Sequence, residues 1–167
     1  MPLKLRRNRR VLSGSVISVA LAAFLSSAVL AVGRDKAMYV RGTLSTIKAR
    51  TEGRFDTQAE SELAFDAGKK GSVAIPYAAM ASLAFEEKER VAVIIGLAPP
   101  VSKQLHSYLT ITYNDPQGKA QSVVFELGKN IVRTVLKVVE ARSGKAIAFQ
   151  GAATCRQYKT AEECKGT

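Results

Sequence analysis

The stretch that most constrains the fold is Gly128–Gly144, GKNIVRTVLKVVEARSG. Its Val, Ile and Thr residues favour strands, but its apolar residues do not alternate as those of a strand do. They recur at the i, i+1, i+4, i+5, i+7 and i+8 spacing of one helical stripe, which comprises Ile131, Val132, Val135, Leu136, Val138 and Val139. Burying each such side chain contributes about 1.5 kcal/mol or more, which outweighs the few tenths of a kcal/mol that a β-branched residue costs a helix. The pattern therefore predicts a helix over 129–143 that needs a sheet to lie on.

Both ends of this helix carry capping signals. Asn130 is suited to the N-cap, Arg142 to the last turn, and Gly144 to a C-terminal position that requires a left-handed backbone.

The segments before the helix have the features of short strands. In RFDTQAESELAFDA, polar and apolar residues alternate, which predicts one half-buried antiparallel strand. VAIPY predicts another strand, which Pro76 marks as an edge or an interruption. ASLAFEEKER continues with Leu83 and Phe85 inward, VAVIIGL predicts a separate strand buried on both faces, and APPVSKQLH predicts a loop.

SYLTITY and SVVFEL predict a hairpin. Between them, Asp115, Pro116 and Gly118 occupy the first, second and fourth positions of a type I turn. The residues expected to share the buried face are Leu109, Ile111 and Tyr113 on one arm and Val123, Phe125 and Leu127 on the other.

The N-terminal segment predicts export. Five cations, Lys4, Arg6, Arg7, Arg9 and Arg10, are followed by an uncharged run from Val11 to Gly33. This pattern is typical of a cleavable signal peptide, although the run is long enough to span a bilayer as a retained anchor, and a buried soluble helix is the third alternative. The first two alternatives both place the residues after Arg34 outside the cytoplasm.

The net charge of +11 is concentrated in this segment. The remaining 20 basic residues are set against 14 acidic ones, so the rest of the chain carries +6. This excess is too small to indicate nucleic acid as a partner.

Cys155 and Cys164, the two cysteines, favour a disulfide in an exported chain over a metal site or a nucleophile. With one histidine, His106, the cysteines and histidine cannot supply four zinc ligands. We expect His106 to be structural, and Lys69 and Lys70 to lie in a turn rather than a phosphate-binding loop. No GxSxG motif occurs, so we expect no catalytic residue, cofactor or metal.

About seven short strands followed by one amphipathic helix is the element order of a pleckstrin-homology-like (PH-like) barrel. The run from YVRGTLST through IPYAAMASLAF and HSYLTITYNDPQGKAQSVVFELGKN to IVRTVLKVVEARSG resembles the bacterial PH-like domains of uncharacterised exported proteins, over roughly Tyr39 to Ile147. The resemblance implies two sheets packed nearly at right angles as an open barrel, with the helix at one end. It also implies binding of lipids, peptides or protein surfaces, and no chemistry. Many eukaryotic members carry a Trp in the terminal helix, and this chain has none.

The expected fold is therefore mainly β: an open antiparallel PH-like barrel of about seven strands, capped by an amphipathic C-terminal helix and preceded by an N-terminal hydrophobic helix. The expected organisation is a signal peptide or anchor over 1–33, the barrel domain over 34–150, and a tail with a disulfide over 151–167.

The expected function is an exported or membrane-tethered interaction module that binds a protein or peptide. The alternative is a membrane-surface module that binds anionic headgroups. For the alternative, Lys48, Arg50 and Arg54 between the first two strands are the candidate anion contacts, because clustered cations can bind a phosphate. Glu52 lies among them, and an ordinary solvated loop is the other interpretation.

Overall fold

The computed structural model of the protein describes residues 32–93 and 101–164. The described residues form eight strands and two helices, which are β1 (Ala37–Gly42), β2 (Thr51–Asp56), β3 (Glu62–Asp66), β4 (Ser72–Pro76), β5 (Met80–Val93), β6 (Val101–Asn114), β7 (Ala120–Leu127), α1 (Val132–Ser143), β8 (Ile147–Phe149) and α2 (Ala152–Tyr158). The predicted mainly β class with a helix after the last hairpin is confirmed. The expectation of about seven short strands is corrected, since β5 and β6 have 14 residues each and β8 is an additional strand.

The strands form one sheet in the order β4-β3-β2-β1-β7-β6-β5-β8. Neighbouring strands are antiparallel except for β5 and β8, which are parallel. β1 lies inside the sheet, where it pairs with β2 on one side and β7 on the other. Pro76 ends β4, an edge strand, as the missing N–H of proline requires.

Helix α1 supplies one wall of the core. Its buried residues Val132, Val135, Leu136 and Val139 belong to the same cluster as Phe85 and Phe125 of the sheet. The helical stripe predicted from spacing is therefore confirmed, and Gly144 ends the helix with the expected left-handed φ of 66°.

The predicted N-cap is wrong. The helix begins at Val132 rather than 129, because Ile131 N–H donates to the Gly128 carbonyl (3.0 Å) and forms a turn first. The N-cap position is Ile131, and the Asn130 side chain instead donates to the Asp35 carboxylate (2.9 Å).

The single strand predicted from RFDTQAESELAFDA is also wrong, because this segment contains β2, a turn and β3. The Asp56 carboxylate accepts a hydrogen bond from the Gln58 N–H (2.8 Å), which favours the chain reversal. Arg142 of α1 donates to the carbonyls of Thr57 (2.8 Å) and Ala59 (2.6 Å), so the helix also holds this turn.

Two further expectations about β5 and β6 are corrected. ASLAFEEKER and the beginning of VAVIIGL form one strand, and the predicted loop APPVSKQLH contributes Val101–His106 to β6. The pairing register of β5 with β6 continues through both segments and ends with Val93 opposite Val101. Residues 94–100, with the two prolines, lie outside the described residues.

The β6–β7 hairpin is confirmed. Leu109 pairs with Phe125 and Ile111 with Val123, and all four are buried. Its turn is closed by the Gly118 N–H, which donates to the Asp115 carbonyl (2.8 Å). The turn predicted at Lys69 and Lys70 is confirmed as a short 3₁₀ segment.

The predicted pair Cys155–Cys164 is a disulfide, with its Cα atoms 5.8 Å apart. Cys155 is 1 % exposed and belongs to the core, and the Tyr158 ring packs edge-on against Phe85 (5.1 Å). Residues 151–164, expected to be a tail, therefore carry a helix that completes the core.

The predicted export segment falls almost entirely on residues 1–31, which lie outside the described residues. Among the residues that are described, no helix combines the length and apolar character needed to cross a membrane.

Candidate functional site

The longest strands extend beyond their neighbours. β5 and β6 pair from Met80–Tyr113 to Val93–Val101, but β7 pairs with β6 only as far as Ser107 and β8 pairs with β5 only as far as Phe85. Residues 86–93 and 101–106 therefore form a two-stranded ribbon whose outer edges have no strand partner in the described parts of the chain. We call this element the ribbon.

Pairing of β7 with β6 ends at Leu127, whereas pairing on the other edge of β7, with β1 and the residues before it, continues. The Gly128 N–H donates to the Lys36 carbonyl (2.8 Å) and the Asn130 N–H donates to the Arg34 carbonyl (3.0 Å). A Cβ at position 128 would lie 2.2 Å from the Gly33 carbonyl oxygen, so glycine is needed for this close approach. The chain then turns into α1, and no described strand lies beside residues 103–106 of β6 on this edge.

Two clefts flank this edge. The outer cleft, about 280 Å³, is lined by Val32, Arg34, Gln104, Leu105, His106, Glu126, Leu127 and Lys129. The inner cleft, about 430 Å³, is lined by Glu87, Lys103, Leu105, Ser107, Leu127, Lys129, Val132, Gln157 and Tyr158. Leu105, Leu127 and Lys129 line both clefts, and Leu105 is a large apolar side chain that is 54 % exposed.

A buried polar pair lies at the outer cleft. His106 Nδ1 is 2.6 Å from Glu126 Oε1, and both side chains are 5 % exposed. Because an ionised carboxylate only accepts hydrogen bonds, Nδ1 carries the donated proton. His106 Nε2 is buried and has no hydrogen-bond partner among the residues that the structure describes. The Tyr108 ring stacks on the imidazole (6.4 Å between centroids), and burial, followed by the charge of Glu126, raises the pKa of Tyr108.

The sequence interpretation put His106 at the start of a strand in a structural role and missed its partner. The signal was available in the hairpin register, since pairing Leu109 with Phe125 places Glu126 opposite Tyr108 and diagonal to His106.

The inner cleft is anchored by Glu87. Its carboxylate accepts hydrogen bonds from the Tyr158 hydroxyl (2.6 Å) and from Ser107 Oγ (3.2 Å). Burial and this hydrogen bond raise the pKa of Tyr158 well above its ordinary value. Arg133 of α1 lies over the Tyr158 ring at 5.3 Å. The Glu87 carboxylate is therefore satisfied within the protein and holds α2 against the ribbon.

The cations that line the clefts are exposed to solvent. Lys103 forms an exposed ion pair with Glu89 (3.4 Å). Arg34 and Lys129 are exposed, and within the described part of the chain their side chains have no ion-pair partner. The single carboxylate of the outer cleft, Glu126, is occupied by His106, so this cleft presents positive charge.

The predicted anion contacts lie elsewhere. Lys48 and Arg50 are in the connection between β1 and β2, whereas Arg54 lies within β2. All three are exposed, and Arg50 adopts a left-handed backbone with φ 63°. Glu52 beside them pairs with Lys36 (3.0 Å). The expected anion contact at these residues stays a prediction.

In the described ranges, no group of three or more His, Cys, Asp and Glu side chains is arranged to hold a metal ion. No protein-family model matches the chain, and no curated protein matches its sequence significantly. The arguments about function therefore depend on the geometry of the ribbon and its clefts.

Proposed function

We propose that this protein is a non-enzymatic, exported interaction module that binds a protein or peptide through the free edge of β6. The observation that carries the proposal is the edge of β6 at residues 103–106, beside which no described strand lies once pairing with β7 has ended. Backbone N–H and C=O groups at such an edge can pair with an added strand, which supplies affinity, while the flanking clefts supply side-chain selectivity.

The two edges of the ribbon differ in a way that favours β6. The β5 segment carries Glu86, Lys88, Glu89 and Arg90, and charges of both signs on an edge strand oppose strand addition. The β6 edge instead presents the exposed Leu105 between two clefts. The partner is therefore expected beside β6.

The proposed fold family is the PH-like barrel. Its support is the central position of β1 between the β2–β4 and β5–β7 strands, together with an amphipathic helix directly after β7. β8, α2 and the disulfide are additions to that plan.

The proposed location is outside the cytoplasm. A disulfide is consistent with an oxidising compartment, and the N-terminal run of cations followed by uncharged residues suits an export signal. Signal cleavage would release the module, and a retained segment would tether it to the membrane.

The test is site-specific photo-crosslinking in the expressing cell. A photoreactive residue at Gln104, which is exposed on the β6 edge, should form an adduct with a partner protein, and mass spectrometry should map it to an extended segment. The same residue at Ala74, exposed on the edge strand β4, is the matched control and should give no such adduct. The absence of any protein adduct from ribbon positions would contradict the proposal.

The exposed cations Lys48, Arg50 and Arg54, which have no ion-pair partner among the described residues, support the second candidate, a module that binds anionic membranes. If they bind headgroups, replacing all three by Gln should weaken binding to acidic vesicles by roughly 3 kcal/mol, a factor of more than 100, at low salt. Vesicle binding that is weak or insensitive to this change would reject the second candidate.

A further inference from the structure

We infer that the partner segment is an extended peptide with alternating apolar and acidic residues, which adds as a strand beside residues 103–106 of β6. This inference rests on the proposed function and specifies its site and the chemistry of its partner.

The position of the added strand follows from the path of β7. β7 occupies the place beside β6 up to Leu127, opposite Ser107; beyond that point its other edge stays hydrogen-bonded to Lys36 and Arg34 before the chain turns into α1. An added strand about 4.8 Å from β6 would continue the sheet from that point. Its backbone would meet the edge of a strand that is already held in register by β5. Little ordering of the protein is then required on binding.

The expected alternation follows from the two clefts. Successive side chains of a strand point to opposite faces of the sheet. On the core-facing side, the inner cleft offers the exposed side chain of Leu105, which lies over the buried Leu127 and Val132, although Lys103 also lines this cleft. On the opposite side, the outer cleft offers Arg34, and Lys129 lines both clefts. Apolar and acidic residues in alternation would satisfy both faces at once.

The positive charge of the outer cleft selects the acidic residues of the peptide. The carboxylate of Glu126 is paired with His106, whereas Arg34 and Lys129 are exposed and have no ion-pair partner among the described residues. A carboxylate brought by the peptide would pair with these cations, and a basic side chain would add a like charge beside them.

The experiment uses the full chain, isotope-labelled and held in mild detergent, and follows backbone amide shifts by NMR. The probe is an acetylated and amidated peptide of about eight residues in which Val and Glu alternate, long enough to span the free β6 edge. Two comparison peptides have the same length: one carries the same residues in two blocks, and the other alternates Val with Lys.

The alternating Val–Glu peptide should shift the amides of Lys103–His106 and Lys129, and should bind at least about tenfold more tightly than either comparison peptide. Lys129→Glu should weaken binding about tenfold, because it replaces an attraction by a repulsion. Leu105→Ala should weaken it about fivefold without affecting the fold, since Leu105 is exposed. Lys88→Glu makes the same charge change on the β5 edge of the ribbon and should leave binding unchanged.

Equal binding of the three peptides, or shifts that map away from Lys103–His106, would overturn this inference, and so would the absence of binding at millimolar peptide. In each case a partner adduct from Gln104 would still support the proposed function. The loss of that adduct, with peptide binding retained, would count against the function and not against the site.

Discussion

Removing the imidazole of His106 should be one of the most damaging single changes outside the hydrophobic core. His106→Leu fits an apolar side chain of similar size into β6, but it leaves the Glu126 carboxylate, 5 % exposed, without its donor 2.6 Å away. Removing the hydrogen-bond partner of a buried carboxylate costs about 3–5 kcal/mol, because the carboxylate that remains is desolvated and uncompensated. For a domain of this size the melting temperature should fall by roughly 10 °C.

Two further variants separate the charge effect from packing. The double change His106→Leu with Glu126→Leu removes both polar groups, and it should recover most of the lost stability, because an apolar pair avoids the desolvation cost. Lys88→Leu is the matched control, since Lys88 lies directly opposite His106 on β5 and pairs with Glu86 (2.8 Å) in an exposed position. It should cost less than about 1 kcal/mol.

The measurement is urea unfolding of the four proteins, followed by far-ultraviolet circular dichroism under non-reducing conditions. If His106→Leu lowers the free energy of unfolding no more than Lys88→Leu does, the reasoning is refuted, because the His106–Glu126 pair then behaves as if it were solvated. A double variant no more stable than the His106 single variant would refute it equally, since the cost would arise from packing alone.

Three other features can be tested by substitution: the disulfide, the glycines at positions 128 and 144, and the phenol of Tyr158. Cys155→Ser and Cys164→Ser both open the disulfide, which should lower the free energy of unfolding by roughly 2.5–3 kcal/mol. Cys155→Ser should cost about 1 kcal/mol more, because it also places a hydroxyl in the core, and equal melting temperatures of the two variants would contradict this. Gly128→Ala brings a Cβ against backbone oxygens and should destabilise by more than about 2 kcal/mol in urea titrations, whereas Gly144→Ala meets open space and should cost only about 1 kcal/mol for its left-handed backbone. Because the pKa of Tyr158 is raised, the folded state holds the phenol proton more tightly than the unfolded state does. The contribution of Tyr158 to the free energy of unfolding should therefore be complete below about pH 10 and decrease above it. Tyr158→Phe should flatten this alkaline fall, and an unchanged pH profile would show that the phenol does not contribute.

Elements defined by local periodicity were predictable from the sequence. The α1 stripe and the β6–β7 hairpin each have a complete pattern within about 20 residues, and the structure confirms both. The β2–β3 turn was not predictable in this way, because Phe55, Leu63 and Phe65 keep a period of two across the reversal. The reversal is held by the contact from Arg142 to the turn carbonyls and by the hydrogen bond from Gln58 to Asp56, and neither is visible in the alternation.

The candidate site depends on long-range arrangements. Where β7 ends beside β6, Gly128 and Asn130 form hydrogen bonds to residues more than 90 positions earlier in the chain, and no local pattern encodes these bonds. The packing of α2 was hidden for a similar reason, because its few apolar residues acquire a role only when Cys155 and Tyr158 meet the sheet. The buried pair of His106 and Glu126 could have been found from the hairpin register.

The central position of β1 also governs the order in which the chain can fold. β1 is complete within the first part of the domain, yet one of its neighbours is β7, and the contact between Thr43 and Ser122 joins residues 79 positions apart. Closing such a separation is entropically costly and slow compared with forming a hairpin. We therefore expect β1 to pair with β2 first during synthesis. Its other edge then stays open until Ala120–Leu127 has been synthesised. A fragment that ends before Ala120 would leave open edges on both β1 and β6, so truncated forms of this protein should associate with one another rather than remain as monomers.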